Sequence, residues 1–280
     1  MIIFKKFKDY SDYISKLELG DQLIGFVPTM GALHNGHLSL INSSKSETNL
    51  TVCSIFVNPT QFNNATDLQK YPITLEADIY LLESNQCDIL ILPDIDEVYP
   101  NNHKKINYNL GPIENMLEGK FRPGHFQGVC EVVDRLLTEV KPDILFLGQK
   151  DFQQCMIIQK LLVLTASPVK MQIIPTVRKK SGLALSSRNL RLSEDEKETG
   201  AKIYKALQLV QNSITIKNLS ELKTEAIQYL NDAGFIVDYF ETVAAYNLHS
   251  IDKWDKNIPA IALVAASINN VRLIDNILLS

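Results

Sequence analysis

The stretch that decides the fold reads Leu23-Ile24-Gly25-Phe26-Val27-Pro28-Thr29-Met30-Gly31-Ala32-Leu33-His34-Asn35-Gly36-His37. It passes from an apolar run through a glycine-bearing turn into an amphipathic segment, which predicts a strand, a turn and a helix. In that arrangement, free backbone N–H groups and a helix dipole meet an anion. Gly31 and Gly36 lack a Cβ, so backbone can approach a phosphate closely there. His34 and His37 can both face that anion and neutralise charge developing on it.

Two features of this stretch limit its interpretation. It contains neither G-x-x-x-x-G-K-[ST] nor a well-placed G-x-G-x-x-G, which excludes a P-loop and a dinucleotide fingerprint. Isolated histidines near helix starts usually cap or pack. The G-x-x-H-x-G-H spacing between a strand and a helix nevertheless favours a nucleotide site for chemistry at phosphorus.

The bulk properties describe an ordinary globular protein of 280 residues, with 45% hydrophobic residues and a net charge of −4. That charge argues against a general nucleic-acid binder, which needs a basic stripe. No segment approaches the roughly 18 charge-free apolar residues of a membrane span, so we expect no membrane association. The four cysteines (Cys53, Cys87, Cys130, Cys155) have no metal-ligand spacing and predict free thiols in a reducing cytoplasm.

Short apolar runs alternate with helical patterns over the first two-thirds of the chain. The predicted strands are Leu23–Val27, Leu50–Val57, Cys87–Leu92, Asp143–Leu147 and Lys170–Val177. The predicted helices between them are Leu38–Ser46, Leu75–Ser84 and Phe126–Val140. This alternation predicts an α/β fold, a Rossmann-like doubly wound parallel sheet, with ligands at the carboxyl ends of its strands.

A basic turn, Arg178-Lys179-Lys180-Ser181-Gly182, marks the predicted domain boundary. We therefore expect a Rossmann-like domain over residues 1–180 and a smaller α+β domain over residues 181–280. The smaller domain has predicted helices at Glu194–Gln211 and Leu219–Ala233, then predicted strands at Phe235–Val243 and Pro259–Ile268.

Three polar segments follow predicted strands or join the two domains. Asn58 and Gln61 offer neutral amides that suit hydroxyls and carbonyls. Lys150 offers a mobile point charge to a phosphate, and the adjacent Asp151 suits a ribose hydroxyl or a magnesium-bound water. Ser186-Ser187-Arg188 forms a candidate triphosphate clamp. Plain turns explain the first two segments equally well.

Taken in order, these segments and their neighbours resemble the pantoate–β-alanine ligases (pantothenate synthetases). The matching motifs are Pro28-Thr29-Met30-Gly31, His34-Asn35-Gly36-His37, Phe56-Val57-Asn58-Pro59-Thr60-Gln61-Phe62, Tyr71-Pro72, Arg122-Pro123-Gly124-His125-Phe126, Lys150-Asp151 and Leu183-Ala184-Leu185-Ser186-Ser187-Arg188-Asn189. The resemblance is dense over residues 24–192 and continues by length and pattern.

This resemblance implies a nucleotidyltransferase with a His-x-Gly-His motif that condenses pantoate with β-alanine, and usually a homodimer. ATP would be split to AMP and pyrophosphate, with Mg²⁺ present, through an enzyme-bound pantoyl adenylate. A lid would then keep that adenylate from water, and the smaller domain is the candidate.

The resemblance also assigns residues. His34 and His37 would stabilise the α-phosphate transition state, with His37 as the proton donor, and Lys150 would act on the phosphates. Gln61 and Gln154 would hold pantoate, and Gln61 would also help to place β-alanine. The ATP site would comprise Met30, Gly31, Ala32, Leu33, His34, Asn35, Gly36, His37, Gly148, Gln149, Lys150, Asp151, Val177, Leu185, Ser186, Ser187 and Arg188.

The chain departs from the family pattern at three places. Gln149 stands where a glutamate is common, Ile73 where an arginine is common, and Ser181-Gly182 where Asp-Gly is common. We expect these changes to affect peripheral salt bridges and hinge stiffness only.

Two alternatives remain open from the sequence. One is another nucleotidyltransferase of the same superfamily, which would not need the Asn58-Pro59-Thr60-Gln61-Phe62 segment or paired glutamines. The other is a non-catalytic nucleotide-binding regulator, which would tolerate loss of His34, His37 or Lys150.

Overall fold

A computed structural model describes residues 1–63 and 65–279. Its strands are β1 Ile2–Phe4, β2 Ile24–Thr29, β3 Leu50–Ile55, β4 Ile89–Ile91, β5 Ile144–Gly148, β6 Lys170–Ile174, β7 Ile236–Ala244, β8 Ala260–Ile268 and β9 Val271–Leu279. Its α-helices are α1 Phe7–Ile14, α2 Asn35–Glu47, α3 Ala65–Gln69, α4 Leu75–Ser84, α5 Ile95–Val98, α6 Glu118–Phe121, α7 His125–Val140, α8 Phe152–Leu164, α9 Glu194–Gly200, α10 Lys202–Ser213 and α11 Leu219–Asp232. Short 3-10 turns lie at Pro59–Gln61, Gly111–Asn115, Gln149–Asp151 and Ser187–Arg191.

The first six strands form one parallel sheet in the order β1-β4-β3-β2-β5-β6. From β2 the chain crosses to β3 on one side, whereas from β5 it crosses to β6 on the other side. The neighbours β2 and β5 therefore flank the point at which the winding reverses, where open α/β sheets bind their ligands. The predicted doubly wound parallel sheet is confirmed.

Burial on both faces explains the apolar composition of these strands. Phe26, Val52 and Leu145 are fully buried on one side of the sheet in a core that includes α7 and α8. Val27 and Phe146 are fully buried on the other side with α2. Such double burial selects the continuous apolar runs seen in the sequence.

The C-terminal unit is a three-stranded antiparallel sheet in the order β7-β8-β9, covered by α10 and α11. Its own core draws on residues from Leu192 to Leu279, among them the fully buried Phe240 and Val264. No helix in the described ranges is long and apolar enough to cross a bilayer.

Seven of the strands and α-helices are not predicted from the sequence: β1, β9, α1, α3, α5, α6 and α8. The strand β1 is three residues long, and α8 is so apolar that no polar face marks its period. The helix predicted over Glu194–Gln211 is two helices, α9 and α10, which meet at Ala201. The capping box of Ser193 and Glu196 does open α9.

Candidate active site

A cavity of about 240 Å³ opens at the carboxyl ends of β2 and β5. Fourteen residues predicted from the sequence line it. They are Met30, His34, Gly36, His37, Gln61, Gly148, Lys150, Asp151, Gln154, Val177, Leu185, Ser186, Ser187 and Arg188. Residues far apart in the chain thus meet where the sheet topology places a ligand.

The two histidines sit at the start of α2 with their rings stacked, 4.1 Å between centroids. The Gly36 N–H donates to His34 Nδ1 at 3.1 Å, and the His34 N–H donates to His37 Nδ1 at 3.3 Å. Each ring therefore caps a backbone N–H of the turn. A Cβ on Gly36 would lie 2.8 Å from the His34 ring, so glycine is required for this packing.

Both imidazoles are neutral at physiological pH. Burial and the Lys150 charge lower the pKa of His34 to about 4. Burial, together with His34 and Lys150, lowers the pKa of His37 to about 3. Since a neutral ring that accepts at Nδ1 carries its proton at Nε2, each histidine presents an Nε2–H donor.

The turn before α2 is held by a buried carboxylate on another element. Asp78, on α4, is 2% exposed; it accepts from the Ala32 N–H at 2.9 Å and from the Leu33 N–H at 2.7 Å. Ala32 has a φ of 50°, and the Ser187 hydroxyl donates to its carbonyl at 3.0 Å. This left-handed alanine is fixed from two sides, as strained positions at functional sites require.

Each cation at the cavity rim has a carboxylate partner. The Lys150 ammonium donates to Asp151 at 3.2 Å, and Arg188 pairs with Asp67 at 2.9 Å. Burial opposes ionisation of Asp151, but the Lys150 and arginine charges outweigh it and hold the pKa of Asp151 below its usual range. The rim is therefore fully charged, with each cation paired.

The predicted glutamines have different surroundings. The Gln61 amide donates to Met30 Sδ at 2.9 Å and accepts from Asn58 Nδ2 at 3.1 Å, so it is held in one orientation. Gln154 lines the cavity, and its amide makes no hydrogen bond with residues 1–63 or 65–279. Its neighbour Gln153 instead donates to the Ile113 and Met116 carbonyls, which is a structural role.

Five residues predicted for the ATP site do not line the cavity. Gly31, Ala32 and Leu33 are buried behind it, in the backbone of the turn. Asn35 is exposed. The Gln149 amide faces the C-terminal unit, where it donates to Asn276 Oδ1 at 3.1 Å.

Several residues that shape the site are not predicted from the sequence. The pattern around Asp78 indicates only a helix-start carboxylate, and nothing local singles out Asn276. Nor does the sequence connect Glu118 with Arg272, which donates to both Glu118 oxygens at 2.7 Å across the two units. The one local signal for Asp78 is its place in the first turn of α4, where a carboxylate interacts favourably with the helix dipole.

No cluster of three or more His, Cys, Asp or Glu side chains suited to a metal occurs in the described chain. A divalent cation at this site would therefore need ligands from the nucleotide, with Asp151 as the carboxylate beside it. That fits Mg²⁺, which keeps waters and takes few protein ligands alongside phosphates.

Comparisons with known proteins place the chain in one family. The family model described as pantoate-beta-alanine ligase matches residues 2–278. The pantothenate synthetase of Cytophaga hutchinsonii is 43% identical over 259 residues, 91% of each chain. That of Azobacteroides pseudotrichonymphae is 42% identical over 279 residues, 99% of each chain.

Solved structures agree. The pantothenate synthetase of Thermus thermophilus superimposes with a TM-score of 0.91 at 34% identity, covering 99% of each chain. The pantoate-beta-alanine ligase of Francisella tularensis, complexed with beta-gamma ATP and beta-alanine, gives 0.83 at 42% identity and covers 99% of this chain and 97% of its own. The chain therefore belongs to the pantoate–β-alanine ligase family.

Proposed function

We propose that the cavity between β2 and β5 is where this ATP-dependent ligase joins pantoate to β-alanine. The observation that carries the proposal is the stacked pair of neutral imidazoles beside Lys150, at the point where the sheet winding reverses. In the first step the pantoate carboxylate attacks the α-phosphorus, and the bond to the β-phosphate breaks. Pyrophosphate leaves and pantoyl adenylate remains.

The first step needs charge neutralisation more than a covalent nucleophile. The Nε2–H groups of His34 and His37 donate to the α-phosphate oxygens as charge shifts onto them. Lys150 and Arg188 exchange their carboxylate partners for the β- and γ-phosphates. Backbone of the turn over residues 30–37 and of Leu185 and Val177 completes the nucleotide site.

The second step makes the amide. The β-alanine nitrogen attacks the acyl carbonyl, AMP leaves with the electron pair of the broken C–O bond, and the nitrogen loses its proton. Gln61 is fixed by Met30 and Asn58, so it can orient pantoate without changing the local charge. The Gln154 amide supplies the second contact to pantoate, and Gln61 also places β-alanine.

Mg²⁺ fits this site as an ion that would enter bound to ATP. When bound, it would help to neutralise the charge of the leaving pyrophosphate. Asp151, whose carboxylate is ionised beside Lys150, is the residue that would contact it or its waters.

We propose residues 181–280 as a lid over a nucleotide- and pantoate-binding domain of residues 1–180. Separate apolar cores in the two units support this division. The units meet through an apolar cluster, in which Phe152 packs with side chains of the C-terminal sheet, and through polar contacts such as the bond of Arg272 to Glu118. Lid opening would therefore have to part this cluster, while the two separate cores stay intact.

A homodimer in the cytoplasm is the proposed setting. The dimer rests on the family resemblance, and light scattering on purified protein tests it. A cytoplasmic location is supported by the four buried free cysteines, because oxidising compartments favour paired cysteines.

The deciding experiment incubates purified protein with ATP, Mg²⁺, pantoate and β-alanine, omitting each in turn. We expect AMP and pantothenate only with the full set. The exchange of labelled pyrophosphate into ATP, measured without β-alanine, reports on the first step alone. His37→Ala should slow that exchange at least about a hundredfold, the cost of one transition-state donor; near-normal exchange would refute its role.

The same assay separates the two alternatives. Another nucleotidyltransferase would retain AMP in a product instead of releasing it. A nucleotide-binding regulator would bind ATP and turn nothing over.

A further inference from the structure

One buried side chain of the C-terminal unit holds the turn that carries Lys150. Asn276, on β9, is 1% exposed. Its Nδ2 donates to the carbonyl oxygens of Gln149 and Lys150, both at 2.9 Å. Gln149 Nε2 donates back to Asn276 Oδ1 at 3.1 Å. The hydrogen bonds of this amide are thus aimed at one turn of the larger unit.

The backbone of Asn276 is itself fixed. Its N–H donates to the Asp275 carboxylate at 2.8 Å, and its carbonyl accepts from Arg178 at 3.1 Å. Arg178 also donates to Asp275 at 2.9 Å and lies 3.7 Å over the Tyr204 ring. Asn276 is therefore a rigid support, because both its main chain and its side chain are restrained.

The supported turn needs such help. Gln149–Asp151 is a three-residue 3-10 turn between β5 and α8, and the hydrogen bonds of such a turn have poorer geometry than those of an α-helix. Without Asn276, the Gln149 and Lys150 carbonyls would each lose one hydrogen bond and the turn could rotate. The Lys150 ammonium would then move relative to the phosphates, and displacements of about 1 Å cost about a hundredfold in rate.

We propose that Asn276 is a positioning residue that sets Lys150 from the C-terminal unit, so the phosphate-binding cation is in place only when the two units are docked. The proposal rests on the proposed function, since it takes Lys150 as that cation. Asn276 acts through the turn rather than on the reacting atoms.

A double-mutant cycle tests this proposal with the pantoate-dependent pyrophosphate exchange. We expect Asn276→Ala to lower kcat/KM for ATP about 30-fold, within the range for a misplaced binding group. In a Lys150→Ala background the same change should cost less than about threefold, because the group that it positions is already gone. The KM for β-alanine in the second step should stay unchanged.

Equal losses in both backgrounds would overturn the proposal, since Asn276 would then act independently of Lys150. A silent Asn276→Ala would overturn it as well. A silent Lys150→Ala would instead refute the proposed role of Lys150 in the first step, so the two failures are distinguishable.

Two further variants guard against a loss of folding. Gln211→Ala removes a hydrogen bond to the Leu278 carbonyl on the same strand, remote from the turn, and controls for weakened packing of β9. It should leave kcat/KM for ATP within about twofold, as surface changes usually do. Should Asn276→Ala not fold, Gln149→Ala removes one of the three bonds and enters the same cycle with a smaller expected loss.

Discussion

The variant Asp78→Asn tests how much the Asp78 carboxylate contributes to holding the turn before α2, which carries His34. The change keeps the shape of the side chain but replaces one accepting oxygen with an NH₂ group. One of the two backbone N–H groups, at Ala32 or Leu33, must then face a donor instead of an acceptor. The bond that remains also loses its charge assistance.

The magnitude follows from these two losses. A buried N–H left without a partner costs about 1–3 kcal/mol, and loss of charge assistance on the other bond costs about 1 kcal/mol more. We therefore expect the free energy of unfolding to fall by about 2–4 kcal/mol. Since both histidines are attached to this turn, we also expect pyrophosphate exchange to slow about a hundredfold, as for a displacement of about 1 Å.

Chemical denaturation and the exchange assay measure the two effects. Asp88→Asn is the matched control: Asp88 also accepts from a backbone N–H, that of Thr51 at 2.8 Å, but at the opposite end of the sheet. The Asp88→Asn variant should have a lower free energy of unfolding, but the folded protein should exchange pyrophosphate at the normal rate. Equal exchange rates for the two variants would refute the view that Asp78 positions the histidines.

Three more outcomes test other parts of the structure. Gly128→Ala should destabilise by about 1–3 kcal/mol despite the better helix propensity of alanine, because its Cβ would lie 2.4 Å from the backbone carbonyl oxygen of Thr60, in the turn that carries Gln61. Denaturation measures the loss of stability, the KM for pantoate tests the proposed role of Gln61, and a gain in stability would contradict the prediction. Arg272→Met should lower the free energy of unfolding by about 3 kcal/mol, because the buried Glu118 loses its two-pronged partner and keeps only the Tyr239 hydroxyl and Arg122, 3.9 Å away. A change below about 1 kcal/mol in urea titrations would mean that the pair is solvated. The free energy of unfolding should fall as pH drops from about 6.5 towards 4. The reason is that His34 and His37, with folded pKa values of about 4 and 3, bind fewer protons in the folded protein than in the unfolded chain. Denaturation at a series of pH values measures this, and a flat profile over that window would contradict the assignment of neutral imidazoles.

The parts of the site that can be predicted from the sequence are local. Gly31, His34 and Gly36 act through backbone and neighbours within a few residues, so their spacing carries the information. The strands are predictable for a similar reason, because burial on both faces leaves continuous apolar runs.

The parts that cannot be predicted in this way depend on tertiary contacts. Asp78 lies in the first turn of a helix, where a carboxylate is ordinary; only the fold shows that it meets a backbone 46 positions away. Asn276 is one polar residue on a strand, and its partners lie 126 and 127 positions earlier. The sequence pattern predicts loss of a salt bridge at Gln149, whereas in the fold this residue gains a neutral amide partner.

The pairing of Lys150 with Asp151, and of Arg188 with Asp67, has a consequence for which anions can bind at this site. A small inorganic anion such as orthophosphate must displace an internal carboxylate to bind, and its few contacts contribute little binding free energy. In the proposed site, a polyphosphate chain would contact several cations and the uncharged imidazoles at once. On the proposed assignment of these cations to the phosphates, the site would discriminate by ligand length and favour the nucleotide over the shorter anions of the cell.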